Sequence, residues 1–277
     1  MTEQYFLVAP KIIPGEALSS WIHRLCQSHG ISTKRLYKLL NFRKPEDVDS
    51  EEFPEAILKL MSMTRHDIEN FQLVKAVNRS ILLTEALRKQ LRTGLDQSPT
   101  TAFCWQCLRT DAIPYYRIEW RFYFWQTCPK HLVDILTRCP YCLKSPDLRS
   151  ELLVSNNATP SLAFCYFCQF YFGDSIQQIQ SEFATSSVEQ IKTQQSMMAS
   201  VVYGYFQIHP WAERFPLQSM FHLYNAGLLA SDIKSDSCSP PAWGEGIFSS
   251  FLHFLDSKLE TGERAHVQIS AMAESKK

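Results

Sequence analysis

Four pairs of metal-ligating residue types punctuate the middle of this 277-residue chain: Cys104-x2-Cys107, Cys128-x2-His131, Cys139-x2-Cys142 and Cys165-x2-Cys168. A two-residue gap lets one tight turn aim both side chains at a single ion, as tetrahedral Zn²⁺ at about 2.3 Å from sulfur requires. Eight ligands make two complete sites. In sequential pairing the gaps inside the sites are 20 and 22 residues, close to ribbon spacing. Nesting would join Cys128, His131, Cys139 and Cys142 and leave the outer pairs 57 residues apart, whereas cross-bracing satisfies the ligand count but interleaves the loops. Sequential pairing is therefore expected, with Cys104, Cys107, Cys128 and His131 on one zinc and Cys139, Cys142, Cys165 and Cys168 on the other.

Sites filled by four protein ligands have no open position for water or substrate, which makes the two zinc ions structural. A zinc-dependent hydrolase or nuclease would need such a position and clustered carboxylates beside it. Between Cys104 and Cys142 the acidic residues are Asp111, Glu119 and Asp134, spread out and unpaired in the sequence. A thioredoxin-like redox pair would want one Cys-x-x-Cys at a strand end in an α/β domain, and an iron–sulfur cluster suits neither the His nor the two four-ligand sets. No catalysis is expected.

Composition frames the rest. Lys+Arg balances Asp+Glu at 28 each, so the chain does not hold nucleic acid by bulk charge alone. No window approaches the roughly 18 uninterrupted apolar residues of a membrane span, and the start lacks the order of a signal peptide. The expected location is the cytoplasm, where thiols stay reduced. Seven of nine cysteines between Cys104 and Cys168 are then more naturally ligands than disulfides, with Cys26 and Cys238 outside.

The elements that must position these ligands are mostly helical. In PGEALSSWIHRLCQSHG, Leu18, Trp21, Ile22 and Leu25 recur at helical spacing and Gly30 stops the helix. Ser32 caps a second helix that carries Lys34, Arg35 and Lys38 in front of Leu36, Leu39 and Leu40. Helix, short turn, helix is the helix-turn-helix outline, in which Lys34, Arg35 and Lys38 would open a recognition helix in a DNA groove. The competing reading is a solvated face of a helical bundle. His23, His29 and His66 stand alone as surface or core histidines. Further helices are expected over Pro54–Met61, after a Thr64/Asp67 capping box, and through RSILLTEALRKQLRTG to Gly94.

Inside the first metal module, Arg117, Glu119 and Arg121 alternate with Ile118, Trp120 and Phe122, the pattern of a strand or extended segment with one charged face. Its rings either cover the metal site or stack on bases, and Arg117 and Arg121 are candidate phosphate or partner contacts where that face is open. HLVDILTR is expected to form a short helix between the two sites, with Leu132, Ile135 and Leu136 inward. Beyond Cys168 the pattern is helical again. Ser187 caps a helix through Val188, Ile191, Met198, Val202 and Tyr205, and PLQSMFHLYNAGLLAS gives another. SDSCSPPAWGEG reads as a linker, IFSSFLHFLDSKLE as a last helix, and the polar tail from Gly262 as disordered. Residues 169–277 carry 11 acidic against 7 basic groups, which suits a protein partner better than a phosphate backbone.

The fold class expected is mainly α: an N-terminal helix-turn-helix region (1–98), a central double zinc-finger module with short strands (99–173), a C-terminal helical region (174–261) and a tail (262–277). The opening PGEALSSWIHRL resembles the signature of the TniQ/TnsD family, with its Pro, Glu, Leu-x-Ser-Trp core and Arg-Leu pair. FCWQCLRTDAIPYYRIEWRFYFWQTCPKHLVDILTRCPYC resembles the same family's zinc module, so that the likeness covers roughly residues 6–170. That resemblance implies a target-selection adaptor of a DNA transposon. Such a protein recognises target DNA directly or through a CRISPR effector with its guide RNA, and recruits an AAA+ transposition ATPase. It also implies that the eight named residues are zinc ligands. An autonomous sequence-specific DNA binder reading an attachment site is the alternative; its mark would be Lys34, Arg35 and Lys38 reaching base edges. The neutral charge and modest length favour the adaptor, acting on the nucleoid without a membrane and open to oligomerisation.

Overall fold

A computed structural model describes residues 9–41, 43, 45–50, 75–148, 161–172, 188–209, 214–225 and 268–269. The expected Pro54–Met61 helix, the Thr64/Asp67 capping box, the linker around Cys238 and the helix after it lie outside these residues. The chain divides into two compact units, Met1–Ser187 and Val188–Lys277.

The first unit begins with α1 (Leu18–Ser28) and α2 (Thr33–Leu39). Leu18, Trp21, Ile22 and Leu25 fall on one side of α1 and pack with Ile12, Leu36, Tyr37 and Leu40 in a shared core. Each such large side chain contributes about 1.5–3 kcal/mol by leaving water. Gly30 ends α1 in the left-handed region (φ +59°), which an L-residue enters only at a cost. Two residues later Ser32 Oγ accepts from Arg35 N at 3.1 Å and starts α2.

Residues 75–83 are helical, and after a break at Thr84 α3 covers Glu85–Arg88. The helical pattern does not run to Gly94 as its periodicity suggests. Arg92 N donates to Arg121 O at 2.6 Å and Leu91 bridges Phe122, so this stretch is spent on extended pairing with the cysteine-rich region. That region contains α4 (Trp105–Thr110), a 3₁₀ turn (Ile118–Arg121), and a minimal antiparallel hairpin of β1 (Thr127–Cys128) and β2 (Val133–Asp134). Phe103 and Leu136 exchange both backbone hydrogen bonds at 2.8 Å, and the Phe103 ring meets Phe172 at 4.3 Å.

The N-terminal helices and the cysteine-rich region share one unit, and the links between them are buried and polar. Ala17 N donates to Tyr116 O at 2.9 Å, and Tyr116 N donates to Ser20 Oγ at 3.0 Å. Glu16, itself buried, accepts from Ser20 Oγ (2.9 Å), Ile13 N (3.2 Å) and Arg24 Nη1 (2.5 Å). Asp49 takes both Ser19 N (2.9 Å) and Ser19 Oγ (2.7 Å) in the first turn of α1, where a carboxylate also suits the helix dipole.

The second unit differs from the all-helical expectation. It holds α5 (Val188–Tyr203), β3 (Tyr205–His209), β4 (Arg214–Pro216), α6 (Leu217–Asn225) and β5 (Gln268–Ile269), with antiparallel strand order β4-β3-β5. Tyr205, read as helical, starts a strand. Gly204 has φ +80° and its N–H closes the last turn on Ser200 O at 2.8 Å, so the helix stops there. The alternating Tyr-Phe-Gln-Ile run after it then pairs: Phe206 faces Phe215 in register, with ring centroids 5.4 Å apart. Among the described residues Ile191, Met197, Val201, Phe206, Leu217, Met220, Phe221 and Leu223 are buried hydrophobic side chains of this unit. Two residues of the expected disordered tail, Gln268 and Ile269, pair with His209 and Ile208.

Candidate metal centres

Cys104 is the N-cap residue of α4 and Cys107 lies one turn inside it, Leu108 N donating to Cys104 O at 3.1 Å. Their partners come from the β1–β2 hairpin, Cys128 closing β1 and His131 sitting in the turn. His131 Nδ1 lies 3.4 Å from Cys104 Sγ, 3.3 Å from Cys107 Sγ and 3.6 Å from Cys128 Sγ; Cys107 and Cys128 sulfurs are 3.6 Å apart. A tetrahedron with bonds of about 2.3 Å to sulfur and about 2.0 Å to nitrogen has edges of roughly 3.5–3.8 Å. The donor set fits that shape through Nδ1 of His131.

Protonation argues the same way. Hydrogen bonds from Cys104 and Cys107 hold the Cys128 thiolate and push its pKa down to about 2. Cys104 is pushed up to about 12: a hydrogen bond with Cys107 lowers it, and the one with Cys128 together with burial outweighs that. Cys107 is pushed up by its hydrogen bonds with Cys104 and Cys128 and by burial. Three crowded thiols cannot all ionise unaided, and a divalent cation is the group that would let them.

The second cluster brings together Cys139, Cys142, Cys165 and Cys168, all ligand atoms within 4.8 Å of one another. Cys139 and Cys168 sulfurs are 3.7 Å apart, Cys142 and Cys165 sulfurs 3.6 Å, again tetrahedral edges. Both Cys-x-x-Cys turns are built alike. Leu143 N donates to Cys139 O at 2.9 Å and Gln169 N to Cys165 O at 2.8 Å, and both Leu143 and Gln169 have φ +60°. The Cys128 turn shares the design, with Leu132 at φ +55° donating to Cys128 O at 2.7 Å. Three non-glycine residues held left-handed mark turns kept in shape by their surroundings. The ligands group in sequential order, as the spacing predicts. Among the described residues these are the two groups of three or more His, Cys, Asp or Glu that fit a metal ion.

Between the two centres the chain is not helical as expected. Val133–Asp134 is a strand, Ile135 is buried, and Leu132 points out, 60% exposed, because its left-handed backbone belongs to the Cys128 turn. The charged alternation at 117–121 is likewise not a strand. It winds into a 3₁₀ turn, Trp120 N donating to Arg117 O at 3.1 Å and Phe122 N to Glu119 O at 3.2 Å. This corrects the reading of an open charged face. Arg121 is wholly buried: it pairs with Asp47, donates to Thr100 O, and places Nε 3.0 Å from Asp49 Oδ2 in an ion pair not aligned as a hydrogen bond. Arg117 is clamped between the Tyr115 and Trp120 rings (4.5 and 5.0 Å) and bonded to Asp111 at 2.7 Å, to which Lys130 adds a 3.0 Å contact. Glu119 is half-buried, and desolvation raises its pKa to about 7 although Arg117 opposes the shift. By contrast Lys34, Arg35 and Lys38 on α2 are exposed.

Residues 7–135 match the TniQ family model. That span is a TniQ domain. It contains the Glu16–Arg24 pair, both N-terminal helices and the whole first cluster, and it stops short of Cys139. No curated protein matches the chain. The residues of PGEALSSWIHRL that carry the family likeness prove to be structural. Glu16, Ser20 and Arg24 form the buried polar knot that ties α1 of the TniQ domain to Tyr116 and Lys11, and Trp21 Nε1 donates to Pro10 O at 2.8 Å. Reading the sequence alone missed Asp47 and Asp49; the only signal is the acidic run Glu46, Asp47 and Asp49 after Pro45. TniQ domains belong to the target-selection machinery of DNA transposition.

Proposed function

We propose that this chain is a target-selection adaptor of a Tn-type DNA transposition system. It links a target-recognition complex, either a CRISPR effector with its guide RNA or target DNA, to an AAA+ transposition ATPase, and catalyses nothing itself. The TniQ domain over residues 7–135 carries this reading. Two structural zinc ions complete it, one on Cys104, Cys107, Cys128 and His131, the other on Cys139, Cys142, Cys165 and Cys168. Each closed set supplies folding free energy, on the order of 10 kcal/mol or more at neutral pH, to a region whose strands are only two residues long. Two of the carboxylates near the first cluster have structural partners: Asp111 is neutralised by Arg117 and Lys130, and Asp134 accepts from Thr127 Oγ1 at 3.2 Å. In this reading the protein acts in the cytoplasm on the nucleoid; among the described residues no helix is long and apolar enough to cross a membrane.

One observation favours a second reading, that of an autonomous DNA binder. Leu36 and Tyr37 anchor α2 in the core while Lys34, Arg35 and Lys38 face solvent, the arrangement a recognition helix of a helix-turn-helix needs. The experiment is co-purification of the metal-loaded chain with its transposition ATPase, with and without duplex DNA and the CRISPR effector. ATPase retention supports the adaptor. Tight, sequence-selective duplex binding by the chain alone, abolished by the Lys34→Ala, Arg35→Ala, Lys38→Ala triple variant, supports the autonomous binder instead.

A further inference from the structure

The sequence places aromatic rings beside arginines at residues 117–122, but there Trp120, Arg121 and Phe122 are enclosed. The same combination is on the surface at the second cysteine cluster. The Tyr141 ring is 74% exposed and lies parallel to Phe170, with centroids 5.8 Å apart and planes 6° from each other. One face of Tyr141 is thus backed by a ring and the other is open to solvent. Across the same two loops the Lys144 ammonium sits 4.6 Å from the centroid of Phe167, which is 40% exposed. Arg138 is exposed beside Cys139. The two loops, residues 137–144 and 164–172, contain Arg138 and Lys144 and no acidic residue.

A ring already held flat on a second ring gives up little freedom when a third stacks on it. Every nucleobase has a π-face that accepts such stacking, but a base inside a duplex is already stacked on both sides. Two cations on loops that themselves carry no carboxylate add attraction for a polyanion. An acidic or purely apolar protein surface would use the charges or the rings, whereas a single strand uses both. We propose that the Tyr141–Phe170 stack, flanked by Lys144 and Arg138, binds unpaired nucleotides of an RNA or DNA strand, the base on Tyr141 and the backbone on the two cations. The proposal stands on this geometry and goes beyond the adaptor reading, which names neither the surface nor the state of the nucleic acid. With only two cations involved, affinity should fall with salt at a log–log slope of about −1.4, much shallower than a phosphate-driven binder's.

The test is fluorescence anisotropy of the full-length, metal-loaded chain with labelled 20-nucleotide oligo-dT, oligo-U and a blunt duplex of equal length. Tyr141→Ala should weaken single-strand binding about tenfold and change duplex binding less than twofold. Tyr141→Phe, which keeps the ring, should stay within about twofold of the parent, and Lys144→Ala should flatten the salt slope. The dT and U arms separate DNA from RNA as the strand bound. Metal content and circular dichroism of each variant establish that it is folded. Absence of single-strand binding by the parent at 50 mM salt, or a folded Tyr141→Ala variant that binds as the parent does, overturns the proposal. So does loss of ATPase association in Tyr141→Ala with strand binding intact, which would assign the patch to a protein partner. ATPase recruitment that survives in Tyr141→Ala leaves the adaptor reading standing whichever way the strand measurement falls.

Discussion

Arg121 Nε lies 3.0 Å from Asp49 Oδ2, and both side chains are wholly enclosed. The same guanidinium pairs with Asp47, and Asp49 in turn holds the first turn of α1 through Ser19 N and Oγ. One cation in the 3₁₀ turn Ile118–Arg121 thus holds Asp47 and Asp49 and, through Asp49, the start of the TniQ domain's first helix. Removing one partner of such a buried network leaves uncompensated charge, at a cost of about 3–5 kcal/mol. Arg121→Ala should therefore destabilise the chain by that amount in urea unfolding. Arg121→Lys should recover little, since an ammonium cannot address Asp47, Asp49 and Thr100 O together. A loss under 1 kcal/mol for Arg121→Ala would show the network to be incidental.

Two clusters of four candidate ligands each predict close to two zinc ions per chain by elemental analysis. The two should not be equivalent. Cys104, Cys107 and Cys128 are buried, whereas Cys142 and Cys168 are partly exposed. Cys104→Ser should abolish the folded TniQ domain, while Cys168→Ser should lose one zinc and keep the near-ultraviolet dichroism of Trp21 and Trp120. One zinc in the parent chain would contradict the pairing.

Gly30 isolates a backbone effect. Its φ of +59° disfavours any side chain, yet a Cβ built there meets nothing within 4 Å. Gly30→Ala should cost about 1 kcal/mol through conformation alone. Gly30→Asn, which tolerates the left-handed region, should cost less; the thermal midpoints of the two variants give the comparison.

Glu119 gives a pH signature. Its carboxyl titrates near 7 in the folded chain against an ordinary 4.5, because burial penalises the charge. The folded state then binds the proton more tightly than the unfolded one between those values. Its contribution to stability is full below about pH 4.5 and is lost as pH rises toward 7. With zinc held in excess, Glu119→Gln should flatten the difference between stability at pH 5.5 and at pH 7.5. Identical slopes in variant and parent would show that the group does not titrate there.

What the sequence determined by itself is everything set by short-range geometry. A two-residue gap between ligands dictates a turn, so the four pairs and their sequential grouping are legible, as are α1 and α2 with the Gly30 stop and the Ser32 cap. Tertiary structure decided which side of each segment meets solvent. Arg117 and Arg121 look outward in a local alternation; Asp111, close by in the chain, holds Arg117, and only the arrival of Asp47 and Asp49 from far along the chain turns Arg121 inward. Tyr205 reads as helical by period until a left-handed Gly204 and a pairing partner in Phe215 make it a strand. Leu132 reads as core, yet the left-handed backbone of the Cys128 turn drives it out. Ligand spacing and helix caps act over a few residues and survive in one dimension. Burial of a charge depends on counter-charges far along the chain, and so exists only once the chain has folded.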